Sequence, residues 1–415
     1  MNAPHRRGAC PGLSAPMLTG DGLLVRLMPA EQIPLDAFTG LCAAAREHGN
    51  GTMEITARGS LQVRGLTPRS APLFASAVAA LDMTLIEGVP VIPDPLADDP
   101  GMIIDATGLA ATLRRAIASA RFDLAPKVSV IIDGGGRLHL DALAADVRLR
   151  AIGSTRAPRL HVALGGAAAS ATPLGSIAPD AALDVTVRLL GVIAAQGREA
   201  RAVDILRNNG IAAFHCTVNI DIAPDLPPRP PAEAIGRHPV QDGSVALGVA
   251  PAFGHAHADA LAQLVRICSA HGVRSVRPAP GRALLLLGAA ETGAAALASA
   301  AERLGFIARA DDPRRRIAAC PGKPACASGL IAARALAEEI APHLPPGSDA
   351  IHVSGCSKGC AHPAPAALTV VGTVHGCGIV RHGPAHATPG YHVDPADLVA
   401  EIARIAGKTS EAVHG

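Results

Sequence analysis

Four cysteines in the last quarter of the chain stand at spacings that could do chemistry. Cys320 and Cys326 are separated by five residues, PGKPA, and Cys356 and Cys360 by Ser-Lys-Gly. A [4Fe–4S] cube takes four thiolates at the corners of a tetrahedron, so two pairs on two separate loops are a natural supply. The first loop, with two prolines and a glycine, can curl so that both sulfurs face one point. Gly355 and Gly359, flanking the second pair, permit the backbone angles of a tight cluster-wrapping turn. A helix expected to begin near Ser328 would bring free N–H groups and its positive dipole end, both favourable to a negatively charged cluster. Structural zinc is the competing use of such cysteines, but its knuckles are usually closer CxxC pairs. Four inert thiols at Gly/Pro-rich loop positions are the remaining alternative. Of the other five cysteines, Cys42 and Cys268 lie on apolar helix faces and read as core, while Cys10, Cys216 and Cys377 show no clear partner.

The elements that must position these loops come in two copies. Asp21-Gly22 opens an apolar strand (LLVRL), a helical run ends at His48-Gly49, and two short strands, MEIT and LQVRG, close at Gly65. Asp242-Gly243 opens SVALGV, a helical run ends at His271-Gly272, and VRSV and ALLLLG close at Gly288. The stretch from His to closing Gly spans 17 residues both times, and an Ala-rich helical run follows each copy, at 70–81 and 291–304. Strand, helix, strand, strand, helix is half of a small α+β sandwich, and one half alone would leave a sheet edge unpaired. The following segments also correspond. IIDATGL leads to a helix at 110–120 and then APKVSVIIDGGG; AACPGKPACASGL leads to a helix at 331–343 and then DAIHVSGCSKGC. Only the second carries cysteines. The Pro-rich stretch 222–231 reads as the linker between the two halves of the chain. The expected units are therefore 15–92, 93–230, 236–308 and 311–408.

At 415 residues and 49% hydrophobic side chains the chain can bury a large core, with length suggesting two to four domains. With one Tyr, six Phe and no Trp, that core is packed from Ala, Leu, Val and Ile. A net charge of +2 without a basic run argues against nucleic acid as a partner; Arg314, Arg315 and Arg316 read as a solvated face. The longest apolar stretches fall well short of the roughly 20 residues needed to cross a bilayer. No apolar run follows Arg6 and Arg7, so no secretory signal is expected and the protein is placed in the cytoplasm. Cysteines there are reduced, and close spacings mean metal or redox chemistry rather than disulfides.

C-x5-C followed by C-x3-C, downstream of two half-sandwich repeats, resembles the sulfite/nitrite reductase superfamily over nearly the whole chain. The resemblance implies an α+β fold of two ferredoxin-like half-domains paired about a pseudo-twofold axis, plus two related α/β modules, the second holding the cluster. It implies that the last cysteine, Cys360, bridges the cluster to the iron of sirohaem, an eight-carboxylate tetrapyrrole gripped by Arg and Lys. The family's arginine-bearing strand pair is visible from Thr56 to Gly65, with Arg58, Gln62 and Arg64; its repeat mate contains Arg274, Arg277 and Arg282. Strand alternation puts Gln62 and Arg64 on one face, able to point into one cavity. Ordinary exposed strand arginines would give the same pattern.

Two departures bear on the chemistry. Where the reductases carry a lysine pair, this chain has Ala125-Pro126-Lys127-Val128-Ser129, and where they carry Arg-Asn, the segment 89–103 has no arginine. A site that must concentrate positive charge around sulfite or nitrite suffers from both losses. The short length and the Arg7-Gly-Ala-Cys10-Pro11-Gly12 opening are instead similar to the oxygen-dependent branch of the superfamily, the precorrin-3B synthases of aerobic cobalamin biosynthesis. That likeness implies a monooxygenase that hydroxylates precorrin-3A at C20 and forms a lactone. It also implies a [4Fe–4S] cluster, a mononuclear non-haem iron, dioxygen as co-substrate and electrons from an NADH-linked donor. Precorrin-3A carries the same rim of acetates and propionates as sirohaem, so one arginine-lined cavity can serve either as cofactor site or as substrate site. The candidate cluster ligands are Cys320, Cys326, Cys356 and Cys360; the candidate carboxylate contacts are Arg58, Arg64, Lys127, Arg277 and Arg282. His352, His362 and His375 lie near the cluster loops in sequence, and none is assigned to the second iron. A sirohaem-dependent sulfite or nitrite reductase is the alternative, and an electron-transfer or iron-sensing protein is a third possibility.

Overall fold

The computed structural model describes residues 11–413 apart from 219 and 223–225, and side chains of the last helix up to 406. Cys10 and the opening from Arg7 lie outside the described residues, as does part of the linker.

The first quarter holds strands β1 (Met17–Thr19), β2 (Gly22–Leu27) and β3 (Ile33–Pro34), helix α1 (Leu35–His48), strands β4 (Thr52–Ile55) and β5 (Leu61–Leu66), and helix α2 (Ser70–Ala79). The next unit contains β6 (Val91–Pro93), α3 (Ala106–Ala120), β7 (Val130–Asp133), β8 (Ala145–Ser154), β9 (Ala157–Gly166) and β10 (Thr172–Ile177). Helices α4 (Ala182–Ala195), α5 (Ala202–Asn209) and α6 (Ala212–His215) close it. The third repeats the first, with β11 (Gly236–Pro239), β12 (Val245–Val249), β13 (His255–His257), α7 (Ala258–Ala270), β14 (Ser275–Ala279), β15 (Ala283–Ala289) and α8 (Ala294–Arg303). The fourth repeats the second, with β16 (Ile317–Ala319), α9 (Ala333–Ile340), β17 (Ile351–Ser354), β18 (Ala366–Thr373), β19 (Gly376–Gly383), β20 (Tyr391–Val393) and α10 (Leu398–Val413).

These strands form four five-stranded sheets: β1-β2-β5-β4-β13, β10-β9-β8-β7-β6, β11-β12-β15-β14-β3 and β16-β17-β18-β19-β20. The first and third are antiparallel throughout. In the other two the first three strands in chain order run parallel and the last two antiparallel. Each antiparallel sheet takes its last strand from the other half: β13 pairs with β4, and β3 with β14. That exchange covers the edges a lone half-sandwich would expose.

Why the repeats fold this way is plain in their helices. Phe38, Leu41, Cys42 and Ala45 on α1, and Leu261, Leu264, Val265 and Cys268 on α7, recur at helical spacing and are buried. Both faces enter one core shared by the two antiparallel sheets. Cys42 and Cys268 belong to it, and burial pushes each thiol up to about 12, so they remain inert. Each α/β unit has its own core, around Leu113, Leu189 and Phe214 in the first and around Ile340, Val353 and Ile402 in the second. Among the described residues no helix is long and apolar enough to cross a membrane.

Candidate functional site

Parallel pairing brings the two cysteine loops together. Strands β16 and β17 run side by side with Ala319 opposite Val353, so both loops leave the sheet at the same carboxyl edge. Such edges are where open α/β sheets bind ligands. The loops are then tied to each other: Gly355 donates its N–H to Cys320 Sγ at 3.0 Å, Cys320 donates its own to Val353 O at 3.3 Å, and Leu330 N–H donates to Gly355 O at 2.7 Å. Gly355 has to be glycine, because a Cβ there would stand 2.9 Å from Gly322 Cα and 3.4 Å from Cys320 Sγ.

The helix expected near Ser328 begins instead at Ala333. Cys326 and Gly329 close a turn (Gly329 N–H to Cys326 O, 2.8 Å), and Lys323 N–H takes the Ile331 carbonyl at 2.9 Å. A glycine inside a helix costs about 1 kcal/mol relative to alanine, so the helix starts beyond it. Loop backbone therefore supplies the N–H donor that the sequence assigned to a helix end.

Cys320, Cys326, Cys356 and Cys360 all line one cavity of about 480 Å³. Its opposite wall comes from the first antiparallel sheet: Arg26 on β2, Glu54 on β4, Gln62 and Arg64 on β5, and His255 on the exchanged strand β13. These side chains form a continuous ladder. Arg64 donates Nε and Nη2 to Asp21 at 2.8 Å each and Nη1 to Glu54 at 3.1 Å. His255 Nε2 meets Glu54 Oε1 at 2.6 Å. With its amide turned to satisfy both neighbours, Gln62 donates its nitrogen to Glu54 at 2.7 Å and accepts from Arg26 at 2.8 and 3.0 Å. Burial alone would raise the Glu54 carboxyl, but His255 and Arg64 outweigh it and hold it at about 2. Burial lowers the His255 imidazole, against the pull of Glu54. Arg282 donates to Ala361 O at 3.2 Å, and Lys358 to Ser328 Oγ at 2.9 Å. The lining thus presents four permanent cations, Arg26, Arg64, Arg282 and Lys358, against one carboxylate, Glu54. Such a cavity favours an anionic occupant.

Of the five cations named from sequence, Arg64 and Arg282 reach this cavity; Arg58, Lys127 and Arg277 are not in its lining. Arg58 donates to Ala144 O at 2.9 Å, Lys127 is exposed, and Arg277 lines a different cavity. Strand pairing decides this: β14 faces the first α/β unit, whereas β5 faces the second. Arg26, Lys358, Glu54 and His255 were not singled out. Arg26 could have been found from the alternation of LLVRL, whereas nothing local marks β13 as a strand of the other half.

His352 is fully buried, and burial followed by His362 lowers its imidazole to about 4. The two rings meet edge to face at 5.8 Å, and His375 meets His392 the same way at 5.5 Å. None of the four lines the cavity. Cys216 is exposed and Cys377 buried in β19.

The donor set fits an iron–sulfur cube. Burial raises the Cys320 and Cys360 thiols, and the neighbouring cysteines raise them further, so these two would need a cation such as iron beside them to stand as thiolates. Arg334, whose Nε and Nη2 are buried without a partner, lies within electrostatic reach of Cys320, where it would neutralise part of a negatively charged cluster. Among the described residues no group of three or more His, Cys, Asp or Glu side chains could hold a single metal ion. Ligands of a cube surround a body of eight atoms and stand further apart than ligands of one ion.

The family description "Nitrite/Sulfite reductase ferredoxin-like half domain" matches residues 16–81. Among solved structures, the NirA protein of Mycobacterium tuberculosis superposes with a TM-score of 0.71 at 19% identity, covering 92% of this chain and 80% of that one. The fold is therefore that of the nitrite/sulfite reductases, two ferredoxin-like halves with their paired α/β units. Within that class the likeness is closer to one group: a precorrin-3B synthase from a Sinorhizobium species is 38% identical over 411 residues, 97% of this chain and 89% of the relative. The chain belongs to the precorrin-3B synthase family.

Proposed function

We propose that this chain is an oxidoreductase of cobalamin biosynthesis that hydroxylates precorrin-3A at C20 with lactone formation, using dioxygen and electrons from an NADH-linked donor, in the cytoplasm. The observation that carries the reading is the single cavity in which four cysteines face a wall of cations. Cys320, Cys326, Cys356 and Cys360 would hold a [4Fe–4S] cluster, which when bound supplies one-electron transfer at the substrate's edge.

The protein's own groups divide the remaining work. Arg282 and Lys358, whose hydrogen-bond partners are a carbonyl and a hydroxyl, keep their charge available for the acetates and propionates of the macrocycle. Arg64 is held between Asp21 and Glu54, so it fixes the wall and lends it positive potential while remaining in place. A mononuclear iron is implied by the family likeness; with no single-ion site among the described residues, no step is assigned to it.

Anaerobically purified protein should contain four irons and four acid-labile sulfides per cluster, show a broad iron–sulfur shoulder, and convert precorrin-3A to a product heavier by one oxygen atom. A sirohaem band would return the chain to the sulfite or nitrite reductases. Cys360→Ser should lower iron, sulfide and turnover together; if all three are unchanged, the ligand assignment fails.

A further inference from the structure

A second cavity, of about 430 Å³, lies between the β11-β12-β15-β14-β3 sheet and the first α/β unit. It is the pseudo-twofold mate of the cysteine cavity. Between His48 and Gly65 the first copy maps onto the second with an offset of 223 positions, ending at His271 and Gly288. The strand registers confirm the correspondence: Glu54 lies opposite Gln62 as Arg277 lies opposite Leu285.

At these matched positions the chemistry differs. Gln62 and Arg64 become Leu285 and Leu287; Arg26, opposite Gln62, becomes Gly248, opposite Leu285. Glu54 becomes Arg277. Here those cations are gone and a new one stands where the anion was.

Arg277 is 8% exposed and makes no hydrogen bond or ion pair among the described residues. Alternation along β14 sends Val276 into the shared core and Arg277 to the opposite face, into the cavity. Burial, followed by repulsion from Arg114, brings its guanidinium down to about 10; Asp94 and Glu31 attract it from beyond ion-pair distance. Thr107, in the first turn of α3, lines the same space with its hydroxyl oxygen buried and unpartnered. Asp105 already caps that helix through Gly108 N–H, so the case rests on Arg277 and Thr107 rather than on the helix dipole. A buried charge without a partner is costly, and a buried hydroxyl without one adds to the cost. An oxyanion in the cavity would relieve the guanidinium, and a turn of the Thr107 side chain on the same lining would offer it a hydroxyl donor.

We propose that this cavity is a second ligand site, receiving the carboxylate of a small organic acid between Arg277 and Thr107. Arg274 also lines the cavity but is paired with Asp242 at 3.2 Å; Glu31 and Asp98 on the lining favour a singly charged group at the Arg277 guanidinium over a phosphate dianion. Among the described residues no cysteine lines this cavity.

The test titrates cluster-loaded, full-length protein with acetate, succinate and inorganic phosphate at constant ionic strength, following heat and the unfolding midpoint. Acetate or succinate is expected to bind, and Arg277→Met to weaken that binding at least tenfold, with the iron–sulfur spectrum unchanged. Arg277→Met removes an unpaired buried charge, so it should fold at least as stably as the parent without ligand. Thr107→Val should weaken the same binding to a smaller extent. The proposal is overturned if neither carboxylate binds up to about 10 mM, a very weak affinity for a built site. Equal binding by the parent and Arg277→Met, or tighter binding of phosphate than of both carboxylates, would overturn it too. So would loss of binding in Arg282→Gly but not in Arg277→Met, which assigns the carboxylate to the cysteine cavity.

Discussion

Replacing Gly20 by alanine should empty the cluster site while leaving the fold intact. Gly20 has no side chain, and its carbonyl accepts the Ala327 N–H at 3.0 Å, holding the first-sheet edge against the Cys326 loop. A Cβ built on Gly20 would lie closer to Cys326 Sγ than the 3.0 Å that real Cβ atoms keep, whereas ordinary contact begins at 3.4 Å. The sulfur must therefore retreat by at least about 0.4 Å, twice the roughly 0.2 Å by which metal–ligand distances vary in good sites. The nearest backbone atoms to that Cβ are 3.5 and 3.6 Å away, so the thiol moves and the chain does not. Gly20 has no positive φ, so alanine adopts its backbone without strain. We expect Gly20→Ala to have unchanged far-ultraviolet circular dichroism and to lose cluster retention by about 10- to 100-fold, the range found when a metal ligand's orientation is disturbed. Iron and acid-labile sulfide analysis reads the outcome directly, with Gly12→Ala, whose Cβ meets nothing within 4 Å, as control. Full iron and sulfide in Gly20→Ala would refute the placement of Cys326 at the cluster.

Arg64→Met leaves Asp21 and Glu54, 5% and 11% exposed, without their shared cation; a loss of about 3–5 kcal/mol in denaturant unfolding is expected for a broken buried pair. Arg282 holds φ +64° where the first copy has Gly59 at +79°. Arg282→Gly should therefore keep stability within about 1 kcal/mol, while the affinity for a precorrin polycarboxylate falls at least about tenfold with the lost charged hydrogen bond. Arg229 ties the end of the interdomain linker to Asp133 and Asp141. Arg229→Met should destabilise by about 3 kcal/mol or more and expose the linker to limited proteolysis; unchanged cleavage would show that the clamp is idle.

The cysteine loops and the two repeats were legible in the sequence because each is a local pattern: a spacing, a turn residue, a period. Cys320 and Cys356 meet because β16 and β17 are parallel neighbours, an arrangement that a second strand–turn–helix–strand segment already implied. The cation wall was half legible. Alternation placed Gln62 and Arg64 on one face, but which face of β14 looks toward the cysteines depends on sheet docking, and that choice sends Arg277 elsewhere. His255 was the least legible, since β13 joins the sheet of the other half. The helix placed at Ser328 failed for a local reason, Gly329, that the sequence did contain.

Strand exchange has a chemical consequence. His255 comes from the second repeat, the wall it braces from the first, and the cysteines from the last unit, so the cavity exists only when both halves have assembled. The first α/β unit keeps the same scaffold without the cysteines: where Cys320 accepts the Gly355 N–H, Asp94 accepts that of Gly134. Burial and the nearby Asp133 push the Asp94 carboxyl well above the usual range, while the Gly134 N–H and Arg229 pull it back. Duplication thus left two loops with one hydrogen-bonding geometry: a cysteine sulfur at the acceptor position faces the cysteine cavity, and an aspartate holds the same position in the first α/β unit.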